Sequence, residues 1–288
     1  MTALLTLTMV LLAPVPEPAP LKWKLAKGDV FYVKTVHHTK QTETTNGKDE
    51  DGDIQQTAYF KYKVLSVGEK GYTLEQTIQK TELKSNLPVA DELVGKFAGT
   101  MLIFTLDVNF AATKVEGLDK LIDKLAGDNE ALRKTFKGSM TEEAYGASIR
   151  ELFHTGTTKN VKLNDKWKGS HSHQRGNGNG TFEVDTAYKL AASTANGEKV
   201  TWTATTKFTL PKVDPNTIST ISAWEVKTDE YTGEFVFDTK LHRLITSSSR
   251  MKIIASMTIS QRDVDTEFKS VETVESKITV SDKSLLKD

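Results

Sequence analysis

Beyond residue 21 apolar and polar residues alternate one by one over most of the chain, the period of a strand with one buried face. Ala58, Phe60, Tyr62 and Val64 fall on one side, and Thr57, Tyr59, Lys61 and Lys63 on the other. After a short turn over residues 67–71, Tyr72, Leu74, Gln76 and Ile78 repeat the pattern. Phe182, Val184, Thr186, Tyr188 and Leu190 form a third run, and Val200, Trp202, Ala204, Thr206, Phe208 and Leu210 a fourth. Asn196-Gly197 between them is a hairpin signal, because both residues accept the positive φ of a tight turn. Residues 224–280 continue the alternation. Long runs with one apolar and one polar face predict antiparallel sheet. A dozen extended residues reach about 40 Å at ~3.3 Å each, so the sheet is expected to curve.

Between residues 89 and 156 the period changes. Leu118, Leu121, Ile122 and Leu125 stand at helical spacing, and Leu132 and Phe136 make a shorter second stripe. Ser139 with Glu142 has the spacing of a capping box ahead of Tyr145, Ile149, Leu152 and Phe153. A short fourth helix is expected over 89–98, with Leu93 and Phe97 inward, and a buried strand or hairpin over 100–117. The apolar helix stripes need a partner, which the concave side of the sheet supplies. The predicted fold is therefore α+β: a long-stranded, curved, half-barrel-like antiparallel sheet with a helical middle packed against it. Residues 21–288 form one domain, β over 21–88, mainly helical over 89–156, and β over 157–288. Lys24-Leu25 followed by Asp29 and Phe31 is echoed by Lys162-Leu163 followed by Asp165 and Trp167, which suggests duplication of a sheet-forming unit around the helical middle.

The first twenty residues change the picture. Residues 1–15 are apolar and uncharged at the side chains, and four of the seven prolines lie between Pro14 and Pro20. An apolar run too short for a lasting transmembrane anchor, followed by a proline-rich stretch, reads as a signal peptide and stiff leader over 1–20. The expected location is periplasmic or extracellular. The chain has no cysteine, which excludes disulfides, thiolate metal sites and thiol nucleophiles. Lysine plus arginine and aspartate plus glutamate number 38 each, and the signs intermix along most segments, which argues against nucleic acid as a partner.

Candidate chemistry is sparse. Asp49, Asp51 and Asp53 have the spacing that opens an EF-hand loop, but Phe60 stands where the bidentate carboxylate belongs. That stretch reads instead as a hairpin tip joining the run before Gln41 to the one after Ile54. His171 and His173 would point to one side of a strand and could begin a metal site, completed by His37 or His38 if their strand were adjacent. The motifs of the serine-hydrolase elbow, the zinc-protease helix and the phosphate-binding loop are absent. Trp202 and Trp224 fall on alternating apolar faces, which favours core packing over a sugar-stacking platform.

The stretches LKWKLAKGDVFYVKT, TKVEGLDKLIDKL, VKLNDKWKGS and GEFVFDTKLHRLITSS resemble an uncharacterised family of exported bacterial proteins, defined as a domain of unknown function. Where that family has glycine in the last turn, this chain reads Leu241-His242-Arg243. More distantly, long curved strands with helices beneath are similar to the half-barrel carriers of lipoproteins and lipids in the bacterial envelope. These resemblances imply an exported mixed β and α domain and assign no catalytic residue. The expected role is a non-catalytic binding or structural protein of the cell envelope, without a cofactor. Its partner would be an apolar small molecule or lipid, or another envelope protein. As a carrier it would bury its ligand between sheet and helices against Phe60, Tyr62, Trp202 and Phe208. A metal-dependent hydrolase built around His171 and His173 is the remaining alternative.

Overall fold

The computed structural model describes residues 19–86, 94–157, 159–174, 181–209, 220–261 and 264–286. The strands before the helices are β1 (Ala19–Pro20), β2 (Val30–Thr45), β3 (Lys48–Gly68), β4 (Gly71–Ser85), β5 (Met101–Leu106) and β6 (Ala112–Glu116). Helices α1 (Leu118–Ala126), α2 (Glu130–Ser139) and α3 (Glu142–Phe153) come next. Then come β7 (Asn160–Val161), β8 (Lys166–Gln174), β9 (Thr181–Thr194), β10 (Gly197–Thr209), β11 (Thr220–Asp238), β12 (Arg243–Gln261) and β13 (Val264–Ser281). Short β1 pairs with β7; the other eleven strands form one antiparallel sheet in the order β6-β5-β4-β3-β2-β13-β12-β11-β10-β9-β8.

One side of this sheet is apolar along its lower half. Phe31, Val33, Tyr62, Val64, Leu74, Phe104, Leu190, Val200, Phe235, Phe237, Ile278 and Val280 all occupy one face by register and are buried. Onto them fold Leu21 and Trp23 from the entering segment, Phe110 from the β5–β6 turn, and Ile149, Leu152 and Phe153 from α3. Phe153 meets Trp23 edge-on at 4.7 Å and stacks on Phe110 at 4.9 Å. Thr155 ties the segment after α3 to the Leu21 carbonyl. The opposite face is studded with lysine, arginine, aspartate and glutamate, among them Lys34, Lys61, Lys63, Glu183, Lys207, Arg250 and Lys277.

The internal echo is structural. Asp29 and Asp165 each accept a backbone N–H three residues upstream, from Ala26 at 2.7 Å and Lys162 at 2.8 Å. Gly28 (φ 95) and Asn164 (φ 70) take the left-handed step, and their N–H groups donate to Val64 and Leu190 carbonyls respectively. One pair further, Phe31 stacks on Tyr62 at 5.0 Å as Trp167 stacks on Tyr188 at 5.5 Å. The bulge beside Val64 recurs beside Leu190, and the Gly68–Gly71 hairpin recurs as Thr194–Gly197. Gly71 (φ 134) and Gly197 (φ 128) lie so near the next strand that a Cβ would fall 1.9 Å from the Leu106 carbonyl oxygen and 2.4 Å from that of Phe237. A matching bulge and an aspartate-capped turn close both β5–β6 and β11–β12. Strands β2–β6 and β8–β12 are thus two copies of one five-stranded meander. The Lys-Leu match of the sequence is two residues out of the structural register; aspartate and aromatic are the true equivalents.

The two copies continue differently. After β12 the chain makes β13, which pairs with β12 and β2 and joins the halves. After β6 it makes helices, and α3 lies against both β6 and β8, the two unpaired edges. Helix α3 occupies the position that duplication would give to a further strand. A helix about 10 Å across cannot substitute for a strand spaced at ~4.8 Å, so the sheet curls round without closing. Glu142 at the start of α3 accepts the N–H of Val115 on edge strand β6 at 3.0 Å.

The helical expectations need two corrections. Thr141, not Ser139, caps α3, accepting from the Ala144 N–H, while Ser139 ends α2 and donates back to the Thr135 carbonyl. The Leu132–Phe136 stripe buries no residue of α2. The expected helix over 89–98 falls largely outside the described residues, as do residues 1–18 and Leu210. The Asp49–Asp53 stretch is not a loop: β2 and β3 run to a turn at Asn46-Gly47, and Asp49, Asp51 and Asp53 bond to Thr44, Thr42 and His38 across the ladder.

Candidate functional site: the open half of the interior

Helix α3 has two working sides. At 100° per residue, Ile149, Leu152 and Phe153 face the packed lower half, and Glu151 projects from the far side of the helix. Glu151 is accessible to solvent although many protein atoms lie around it. Burial pushes its carboxyl above the usual range, and the imidazole of His37 opposes that shift. Among the described residues Glu151 has no ion pair.

A continuous row of paired residues crosses the inner wall near α3: Trp167, Tyr188, Trp202, Gly233, Ser249, Ser276, His37 and Gln56. Trp202 lies flat over Gly233, where a Cβ would fall 2.3 Å from the indole. Its edge meets Tyr231 at 5.1 Å. Desolvation raises the Tyr231 hydroxyl to about 12, and Glu151 and Tyr188 add to the shift. His37 Nδ1 and the Ser276 hydroxyl are 3.1 Å apart. His154, just past α3, lies 6.2 Å from the His171 ring, and burial with Arg150 nearby holds its pKa below the ordinary histidine value.

Above this row the inner wall divides. On β9–β13 it is mostly apolar, with Phe182, Phe208, Val226, Met251, Ile253 and Val274. On β2–β4 it is mostly polar, with Thr39, Gln41, Gln56 and Thr81. Apart from buried side chains such as Phe182 and Ile253, these positions are half-buried or, at Gln56, exposed. In contrast to the sealed lower half, the described residues leave this part of the inner wall partly open to solvent. Two concavities are formed by the described residues, the larger of them reaching Trp202, Gly233, Ser249 and Ser276 of the row itself. One of about 220 Å³ sits in the seam, between β6, α3 and Ser172 of β8. The other, about 710 Å³, is lined chiefly by outward positions including His38, Arg250, Glu275 and Lys277, and Arg250 is already paired with Glu275 and Glu230.

The four residues expected to line a cavity all share the inner face, but not one role. Tyr62 is buried in the closed half, stacked on Phe31 and bonded to Gln76, so it lines nothing. Phe60 packs half-buried above it, Trp202 forms part of the floor, and Phe208 packs on Phe182 at 4.8 Å in the apolar wall. His171 and His173 occupy inward register positions on β8, and the side chain of His173 lies outside the described residues. Five strands separate β8 from β2, so adjacency cannot bring in His37 or His38, and among the described residues no three metal-ligating side chains converge. Sequence reading missed Glu151. Its signal was present: a lone glutamate opposite the apolar stripe of a helix that must pack inside a curved sheet.

Fold and site together define an internally duplicated β-chamber, packed at one end and open at the other. The chain belongs to the DUF6263 family, a family of unknown function, which it matches over residues 55–240. That span includes parts of both meander copies. No curated protein matches it. Among solved structures, one of lipid–protein interactions in lipovitellin aligns with 92% of this chain and 26% of its own at 8% identity and TM-score 0.45. This chain therefore spans about a quarter of that one. The outer membrane proteins OprG and OccK5 (OpdH) of Pseudomonas aeruginosa align with 91% and 89% of it, and with 99% and 100% of their own lengths. Both are 7% identical, at TM-scores of 0.24 and 0.26. Among the described residues no helix is long and apolar enough to cross a membrane.

Proposed function

We propose that this is an exported, non-catalytic binding protein that holds an elongated apolar or amphiphilic molecule in the open half of its interior. The observation that carries this reading is the half-buried apolar wall of β9–β13 on the α3 side of the sheet, which the described residues leave partly open to solvent. An alkyl chain laid there would remove apolar surface from water at about 25 cal/mol per Å². The polarity of the sheet supports the same reading: most charges point outward and most apolar groups inward, the inverse of a barrel that faces lipid. The uncharged, proline-flanked N-terminus supports export, to be checked by fractionation and the mass of the mature chain.

Ala204 tests the cavity, because it stands on the inner wall one pair above Trp202, where a larger side chain enters the chamber rather than the packed half. The wild-type protein is expected to enhance N-phenyl-1-naphthylamine fluorescence saturably. Ala204→Trp is expected to weaken that binding at least about tenfold with an unchanged melting temperature. Equal binding by the variant, or loss of folding, would mean that the space is not the binding site or is already filled.

A further inference from the structure

Among the described residues the inward charges of the chamber are mostly of one sign. Between the floor row and the mouth, the charged side chains at inward strand positions of the described residues are Glu43 and Glu272. Only at the tip of the β2–β3 hairpin does a lysine, Lys48, face inward, beside Glu50. The chain as a whole is neutral, with 38 charges of each sign, so this partition is a property of the fold rather than of composition. Glu151 adds a third carboxylate at the floor, and its surroundings are aromatic: it acts electrostatically on Tyr231, whose ring is braced by Trp202, with Tyr188 behind. A carboxylate beside aromatic faces is the chemistry that attracts an organic cation, through charge and through the ring quadrupole.

From this arrangement we infer that the floor of the chamber, formed by Glu151, Tyr231, Trp202 and His37, is a binding site for the ammonium head of a cationic amphiphile whose chain lies along β9–β13. The inference rests on the chamber reading above and adds the head group. Glu43 and Glu272 place negative charge along the way from the mouth, which favours entry of a cation and disfavours an anion of equal length. His37 of β2 stands near Glu151, and a bound ammonium would give the carboxylate a full counter-charge.

Displacement of N-phenyl-1-naphthylamine by single-chain probes below their micelle concentrations separates the claims. Dodecyltrimethylammonium, dodecyl sulfate and dodecyl maltoside share one tail and differ in head. The cationic probe is expected to bind at least about tenfold tighter than either other, Glu151→Gln to abolish that preference, and Tyr231→Leu to reduce it. If all three bind alike, or the preference survives Glu151→Gln, the head-group assignment is overturned while the chamber stands. If none binds, both fall.

Discussion

Glu151 is expected to lower the stability of the fold at neutral pH. Its carboxyl titrates higher in the folded chain than in the unfolded one, so the folded state holds its proton more tightly. The stabilising direction therefore lies at low pH, and the cost grows as pH rises through the folded value. The groups facing it are His37 from β2 and Tyr231 from β11, with Tyr188 of β9 beyond; Arg150, its neighbour on α3, lines the seam instead. Glu151→Gln is expected to raise the melting temperature at pH 7, and this gain should vanish below the unfolded carboxyl range near pH ~4. Thermal melts across pH would show it; an unchanged or lowered midpoint at pH 7 would mean that the carboxylate is well solvated or paired. A side chain that destabilises the unliganded fold has the profile of one retained for binding.

At the scale of the element, α3 serves three ends at once. Its lower side seals the core, its upper side floors the chamber, and its first turn caps a strand edge. The Glu142 carboxylate accepts a donor that no neighbouring strand claims, beside the positive end of its own helix. Glu142→Ala is expected to cost about 1–2 kcal/mol and to speed hydrogen exchange at the Val115 amide, while Glu142→Gln retains most of the bond through its amide oxygen. Unaltered exchange at Val115 in the alanine variant would show that the edge is held by packing alone. Sequence reading found this helix from Tyr145, Ile149, Leu152 and Phe153, because apolar spacing is local. It misplaced the cap, since Ser139 and Thr141 are both competent acceptors and only the end of α2 decides between them. It could not see that Glu142 serves another element, because Val115 is brought near by the fold and not by the chain.

For the whole molecule, duplication explains both the regularity and the exception. Alternating faces were legible because each long strand buries one side, and every run named from the sequence lies on the expected face wherever it is described. Strand order was not legible, since runs of equivalent pattern pair equally well on paper. It is decided by tight hairpins and by the β13–β2 junction, which joins the two ends of the sheet-forming chain. The repeat was half legible: Asp29 and Asp165 survive as turn anchors, whereas the aromatic stack they support reads only as Phe31 with Tyr62 and Trp167 with Tyr188 once register is known. Tyr62 was misjudged as cavity lining for the same reason. Alternation gives the face of a residue, and only the plug formed by Trp23, Phe110 and Phe153 tells which stretch of that face is sealed.

The central claim is that an apolar chain occupies the space between the Glu151 side of α3 and the inner wall of β9–β13. A crystal of the protein grown with a twelve-carbon alkyltrimethylammonium brominated at its terminal carbon would locate that chain by anomalous scattering. The account requires a bromine peak inside the chamber against the apolar wall near Phe208 or Val226, with the ammonium density over Tyr231. Bromine confined to the outer surface or the seam, or a chamber closed by inward-collapsed side chains, would contradict it.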